Sequence, residues 1–213
     1  MTRLARLALL VLAPTAALSQ PPATFQLNTL LAHLRRPAPA STPFTEARFS
    51  ALLTRPLVVS GELEYLGPGD LARTVEKPYR ERAAIDGDSV TLEREGESAQ
   101  HFSLDRAPAM RSLLASFTAL LGGDAGTLER QFELDLHGDA REWTIGLTPL
   151  DPAVHRRIRS ITVSGSGDEL RCLTTFQAND DVTVTLLSGA ARARVPAMPT
   201  RAWFDAQCRG HDG

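Results

Sequence analysis

Apolar and polar residues alternate along this chain, segment after segment. In the first such segment Val59, Leu63 and Tyr65 fall on one side, with Glu62 and Glu64 on the other. Phe132, Leu134 and Leu136 alternate with Glu133, Asp135 and His137. Trp143, Ile145 and Leu147 alternate with Thr144 and Thr148, and Val182, Val184 and Leu186 with Thr183 and Thr185. A period of two sends successive side chains to opposite faces of a strand, so these segments predict a sheet with one apolar and one wetted face. What covers the apolar face is then the functional question: the protein's own side chains alone, or a hydrophobic cargo as well.

Other segments follow a helical period. Leu27, Leu30, Leu31 and Leu34 make a short helix closed by Arg35, Arg36 and Pro37. Pro37 to Pro43 reads as an extended connector, with the sheet beginning at Phe44 to Phe49 and continuing through Leu57 to Tyr65. Pro68-Gly69 marks a turn before Leu71 to Val75. Asp86-Gly87 predicts a hairpin, because it supplies the positive φ that a tight reversal requires. Val90 to Glu93 and Gln100 to Leu104 then pair around Glu95-Gly96.

Pro108 opens the clearest helix, whose stripe of Met110, Leu113, Leu114, Phe117, Leu120 and Leu121 stops at Gly122-Gly123. Three strands' worth of sequence follow to Leu147. Asp151-Pro152 caps a short basic helix through Ile158. Ile161 to Ser164, Glu169 to Phe176 and Val182 to Leu187 complete the sheet, and a short helix lies around Trp203 to Cys208. The expected architecture is α+β, mainly β, with one long antiparallel sheet. So many strands curl, and the helices close over the concave side.

The first residues change the compartment. Arg3 and Arg6 precede an apolar run from Leu7 to Leu12, and Ala17-Leu18-Ser19 offers a cleavage site. Residues 1–19 read as a signal peptide and 20–213 as a single mature domain; the rival reading is a buried N-terminal helix. No cysteine lies near the cut to be lipidated, and no later stretch is apolar enough to span a bilayer. A net charge of −2 makes no case for nucleic acid. Cys172 and Cys208 are free to pair in an oxidising compartment, or to stay unpaired as small core residues.

Catalytic chemistry is not visible. Gly87-Asp88-Ser89 is followed by a strand, whereas a nucleophile elbow needs a helix there. Ser164-Gly165-Ser166-Gly167 reads as a loop between strands and lacks the Lys-Ser/Thr of a phosphate loop. The five histidines (His33, His101, His137, His155 and His211) have no paired metal-ligand spacing, so neither a metal nor a cofactor is expected, and the chain does not read as an enzyme. The run His155-Arg156-Arg157 with Arg159 is either a solvated helix face or a docking patch for an acidic partner or anionic membrane.

The ordered motifs resemble a known family. Phe44-Thr45-Glu46 with Arg48-Phe49, then Leu57 and Gly61 to Tyr65, are similar to the opening of the outer-membrane lipoprotein carrier protein LolA family, in its LolA-related branch. Pro68 and Leu71, Lys77-Pro78, the Ile85 to Asp88 hairpin and the helix ending Leu120 to Asp124 follow in the same order. So do Phe132, Trp143, Leu147-Thr148-Pro149, Ile161 and Asp181 to Thr185. The resemblance implies an incomplete β-barrel with a helical lid over an apolar cavity. It also implies a periplasmic carrier that takes acylated lipoproteins from an inner-membrane donor protein to an outer-membrane acceptor. One position departs: Gly67-Pro68 stands where the family has Arg-Pro, whose arginine helps to hold the lid shut. The departure favours another hydrophobic, lipid-linked cargo.

On this reading Leu63, Tyr65, Phe102, Leu113, Leu114, Phe117, Phe132, Trp143 and Leu147 line a cargo cavity, the alternative being an ordinary filled core. The expected function is shuttling of a hydrophobic acylated cargo by a monomer. The alternative is a sensor of the same fold that binds without transfer. A lipid-modifying enzyme needs a clustered polar site that the sequence does not display.

Overall fold

The computed structural model describes residues 25–106 and 108–210, without the side chains of 106, 108–110, 112, 113, 115 and 116. The signal-peptide reading of residues 1–19 lies outside the described residues. In chain order the elements are α1 (Leu27–Leu34), β1 (Ala40–Phe49), β2 (Leu57–Gly67), β3 (Asp70–Lys77), β4 (Glu81–Asp86), β5 (Ser89–Arg94) and β6 (Gln100–Ser103). Then come α2 (Pro108–Gly122), α3 (Ala125–Gln131), β7 (Phe132–Gly138), β8 (Trp143–Pro149) and α4 (Pro152–His155). Last are β9 (Ile158–Ser166), β10 (Glu169–Gln177), β11 (Val182–Leu187) and α5 (Arg201–Cys208).

All eleven strands form one antiparallel sheet in the order β6-β5-β4-β3-β2-β1-β11-β10-β9-β8-β7. Two meanders, β1 to β6 and β7 to β11, meet at a seam where β1 pairs with β11, from Phe44 opposite Leu187 to Phe49 opposite Val182. The sheet curls but does not close, because β6 and β7 remain its two edges. Gly87 turns the β4–β5 hairpin at φ +54, as its Asp-Gly sequence requires.

Several elements differ from expectation. β1 begins at Ala40 and runs through Pro43, which the proline-rich sequence disguises as a connector. Pro43 is tolerated because its backbone edge faces the β11 side just beyond the ladder, where its carbonyl accepts the Ser188 N–H at 3.2 Å. The first of three expected strands after Gly123 is instead α3. Its N-cap Asp124 accepts from both the backbone N and the Oγ1 of Thr127, and Leu128 is wholly buried. α4 stops at His155 because Ile158 already belongs to β9. Gly165 and Ser166, expected in a loop, continue β9. Gly165 is required there: a Cβ would come within 2.3 Å of the Trp143 ring, which packs on that backbone and donates its indole N–H to Gly167 O.

The sheet buries side chains on both faces. On the concave face α1, α2 and α3 cover β7 to β10, with Trp143, Ile145, Phe132, Val163 and Leu31 in one packed cluster. On the convex face the chain's tail crosses β1, β11 and β10. Phe204 of α5 is fully buried there against Ala47, Val184 and Leu186, and a Cys172–Cys208 disulfide fastens the tail to β10. Val182, Val184 and Leu186 therefore face this tail, while Leu187 faces the other way, so β11 is apolar on both sides.

Candidate functional site: a cavity under the central helix

The concave face is filled at one end of the sheet and hollow at the other. Under α2, where the sheet consists of β1 to β4 with β10 and β11, lies a cavity of about 430 Å³. Its walls are Phe44, Leu63, Leu71, Ala83, Ile85 and Leu187 from the strands, with Tyr65, Leu170 and Leu173 beside them. Leu114, Phe117, Leu120 and Leu121 of α2 form the roof. This volume falls in the range of small-molecule sites, and the lining is mostly apolar.

The roof is held near its start by ion pairs and past its end by a backbone hydrogen bond. Near its start Arg111 forms ion pairs with Asp105 and, across to the β4–β5 hairpin tip, with Asp88. Past its end Arg36 donates its backbone N–H to Leu121 O and its guanidinium to Asp168 O in the β9–β10 turn. Tyr65 stands beneath the last turn, where a Cβ at Gly122 would sit 3.3 Å from its hydroxyl. Gly67 ends β2 at φ +155, paired with Asp70 of β3.

Polar residues also line the cavity, among them Ser41, Thr42, Glu64 and Ser188, and one ion pair reaches into its apolar wall. Arg73 of β3 donates to Glu46 Oε1 of β1 at 2.9 Å, with its guanidinium carbon 4.7 Å from the centre of the Phe44 ring. Thr185 of β11 donates to the other oxygen of Glu46 at 3.0 Å. To reach β1, Arg73 passes over β2, whose intervening residue is Gly61, opposite Phe44. Gly61 admits no side chain, since a Cβ would fall 1.9 Å from Thr74 O.

Of the nine residues expected around the cavity, Leu63, Tyr65, Leu114 and Phe117 line it. The side chain of Leu113 is not described. Phe132, Trp143 and Leu147 are on the expected concave face but within the filled end, under α1 and α3. Phe102 sits on the edge strand β6, 48% exposed, away from the cavity. Sequence reasoning missed Phe44, Leu170, Leu173 and Leu187, and the Arg73–Glu46 pair. The alternation Phe44-x-Glu46 was the available signal: it puts a carboxylate on the face of a buried phenylalanine, which a one-sided apolar pattern leaves unexplained.

Comparison with known proteins decides the family. A family model described as outer membrane lipoprotein carrier protein LolA-like matches residues 19–211. The chain belongs to this LolA-like family. Among solved structures it is similar to the LolA superfamily protein NE2245 from Nitrosomonas europaea, with a TM-score of 0.45 at 9% identity, covering 76% of this chain and 90% of that one. It is also similar to LprF from Mycobacterium bovis, with a TM-score of 0.36 at 15% identity, covering 82% and 96%. No curated protein sequence matches it. LolA-like proteins are carrier and binding proteins, and no helix among the described residues is long and apolar enough to cross a membrane. The LolA-like fold is that of a lipid- or lipoprotein-binding module.

Proposed function

We propose that this LolA-like protein is a periplasmic carrier that takes a hydrophobic acylated cargo into the cavity under α2 and shuttles it from the inner to the outer membrane. The observation that supports the reading is the contrast within one sheet face: solid core beneath α1 and α3, and a 430 Å³ apolar hollow beneath α2. Exposing an acyl chain of about sixteen carbons to water costs on the order of 12 kcal/mol at ~0.8 kcal/mol per methylene, so a water-filled compartment is crossed only with the chain covered. Leu63, Tyr65, Leu114 and Phe117 cover it, and the Arg111 ion pairs at the start of α2, with the backbone bond from Arg36 to Leu121 at its end, set how readily the roof lifts.

The test has two stages. The mature protein, stripped of lipid, is titrated with a fluorescent fatty-acyl probe, and Phe117→Asp is titrated beside it. Saturable binding that weakens more than tenfold in the variant is expected; equal binding by both places the probe elsewhere. Labelled lipoprotein is then offered in inner-membrane vesicles with outer-membrane vesicles as acceptor. Protein-dependent movement of label between them is expected of a carrier, and binding without movement refutes shuttling.

A further inference from the structure

From the Arg73–Glu46 pair we infer that the cavity selects cargo bearing an uncharged hydrogen-bond acceptor, an ester or amide carbonyl, over a bare hydrocarbon or a free fatty acid. The inference rests on the proposed function, because it names the cargo class of the same cavity.

A guanidinium carries five N–H donors. Arg73 donates one hydrogen bond among the described residues, to Glu46; its Nη1 is 3.9 Å from Glu81, outside hydrogen-bond distance. Glu81 is engaged by Arg94, whose Nε donates to it at 2.7 Å. The Arg73 side chain is 29% exposed, so water reaches its remaining donors while the cavity is open. An apolar cargo expels that water, and each buried donor left without a partner weakens binding by about 5- to 150-fold. A cargo carbonyl beside Arg73 removes this penalty.

Charge narrows the class further. Arg73 is already neutralised by Glu46, and Glu81 adds a second carboxylate nearby. A cargo carboxylate meets both at short range, whereas an ester or amide oxygen accepts from the guanidinium without adding charge. The placement suits such a molecule. Arg73 pairs with Ala83, two residues in from the Leu71–Ile85 pair, so apolar wall extends along the strands beside it for the chain of the cargo.

Three ligands of matched length, methyl laurate, tetradecane and laurate, are delivered from cyclodextrin to displace the neutral probe N-phenyl-1-naphthylamine from the wild-type protein. Methyl laurate is expected to bind at least tenfold more tightly than either of the others. In Arg73→Met, shown folded by circular dichroism, tetradecane is expected to bind at least as well as in wild type, and the ester preference to vanish. The wild-type ranking stands by itself if the variant does not fold. Equal binding of ester and alkane by wild type, a preference for laurate, or an ester preference kept by Arg73→Met overturns the inference. If the probe does not bind wild type at all, the cavity reading fails first and this inference with it.

Discussion

Changing Cys172 and Cys208 together to alanine removes the covalent tie between the tail and the convex face without touching the cavity. The two cysteines are 36 residues apart, and cross-linking them removes loop-closure entropy from the unfolded chain. For a loop of this length the chain-entropy relation gives about 4 kcal/mol at 25 °C. In a protein of this size that corresponds to a fall in melting temperature of about 8–16 °C. The tail keeps other attachments: Phe204 remains in its apolar site, and Thr45 Oγ1 still donates to Ala191 O at 2.8 Å. The folded variant is therefore expected to keep its tail docked at room temperature. Cys172 also lies on the side of β10 opposite Leu173, which lines the cavity. Fluorescent acyl-probe affinity, measured well below the melting temperature, should thus stay within about twofold of wild type. Calorimetric melts of the variant and wild type, with and without reductant, read the first quantity; probe titration reads the second. An unchanged melting temperature refutes the entropic account of the bridge. A tenfold loss of probe affinity in the folded variant refutes the separation of the two faces.

Gly61→Ala is expected to destabilise by at least the ~1–3 kcal/mol typical of overpacking, read by urea unfolding, because the new methyl collides with the Thr74 carbonyl rather than with a movable side chain. Asp88→Asn weakens the tie between the hairpin tip and α2, and an exposed ion pair of this kind predicts a rise in probe dissociation rate of up to about fivefold in stopped flow. The Arg48 guanidinium, with Ser50 and Asn179, holds the Asp181 carboxyl below the usual carboxylate range. Its stabilisation is therefore complete above the unfolded value near ~3.9 and is lost as pH falls through the lower folded value. Melts between pH 6 and pH 2 should show a smaller acid-induced decline in Asp181→Asn than in wild type.

Most of the strands were legible because alternation specifies which face a side chain takes. Val59, Leu63 and Tyr65, and Trp143, Ile145 and Leu147, all turn to the concave side as their spacing requires. Alternation does not specify what covers that side. Trp143 and Leu63 have the same pattern, yet one meets the packed core and the other an open cavity, because α3 and most of α1 pack over one end of the sheet, with only Leu34 of α1 reaching the cavity's edge. α3 itself was hidden by Gly126 and by its short length, although the spacing of Asp124 and Thr127 carried a capping signal. Arg73 could not be placed from sequence, because its partner Glu46 lies two strands away and the route between them depends on Gly61.

The seam between β1 and β11 gives the cavity a place in time as well as in space. Its walls come from β1 to β4 on one side and from β10 and β11 on the other, residues made at opposite ends of synthesis. Non-local pairing of this kind is slow, because the intervening chain must be ordered before the first strand finds the last. Until Leu187 reaches its place opposite Phe44, the early strands have an apolar face but no enclosed space. The ability to hold a ligand is thus withheld from every partly made chain and arrives with the final strand.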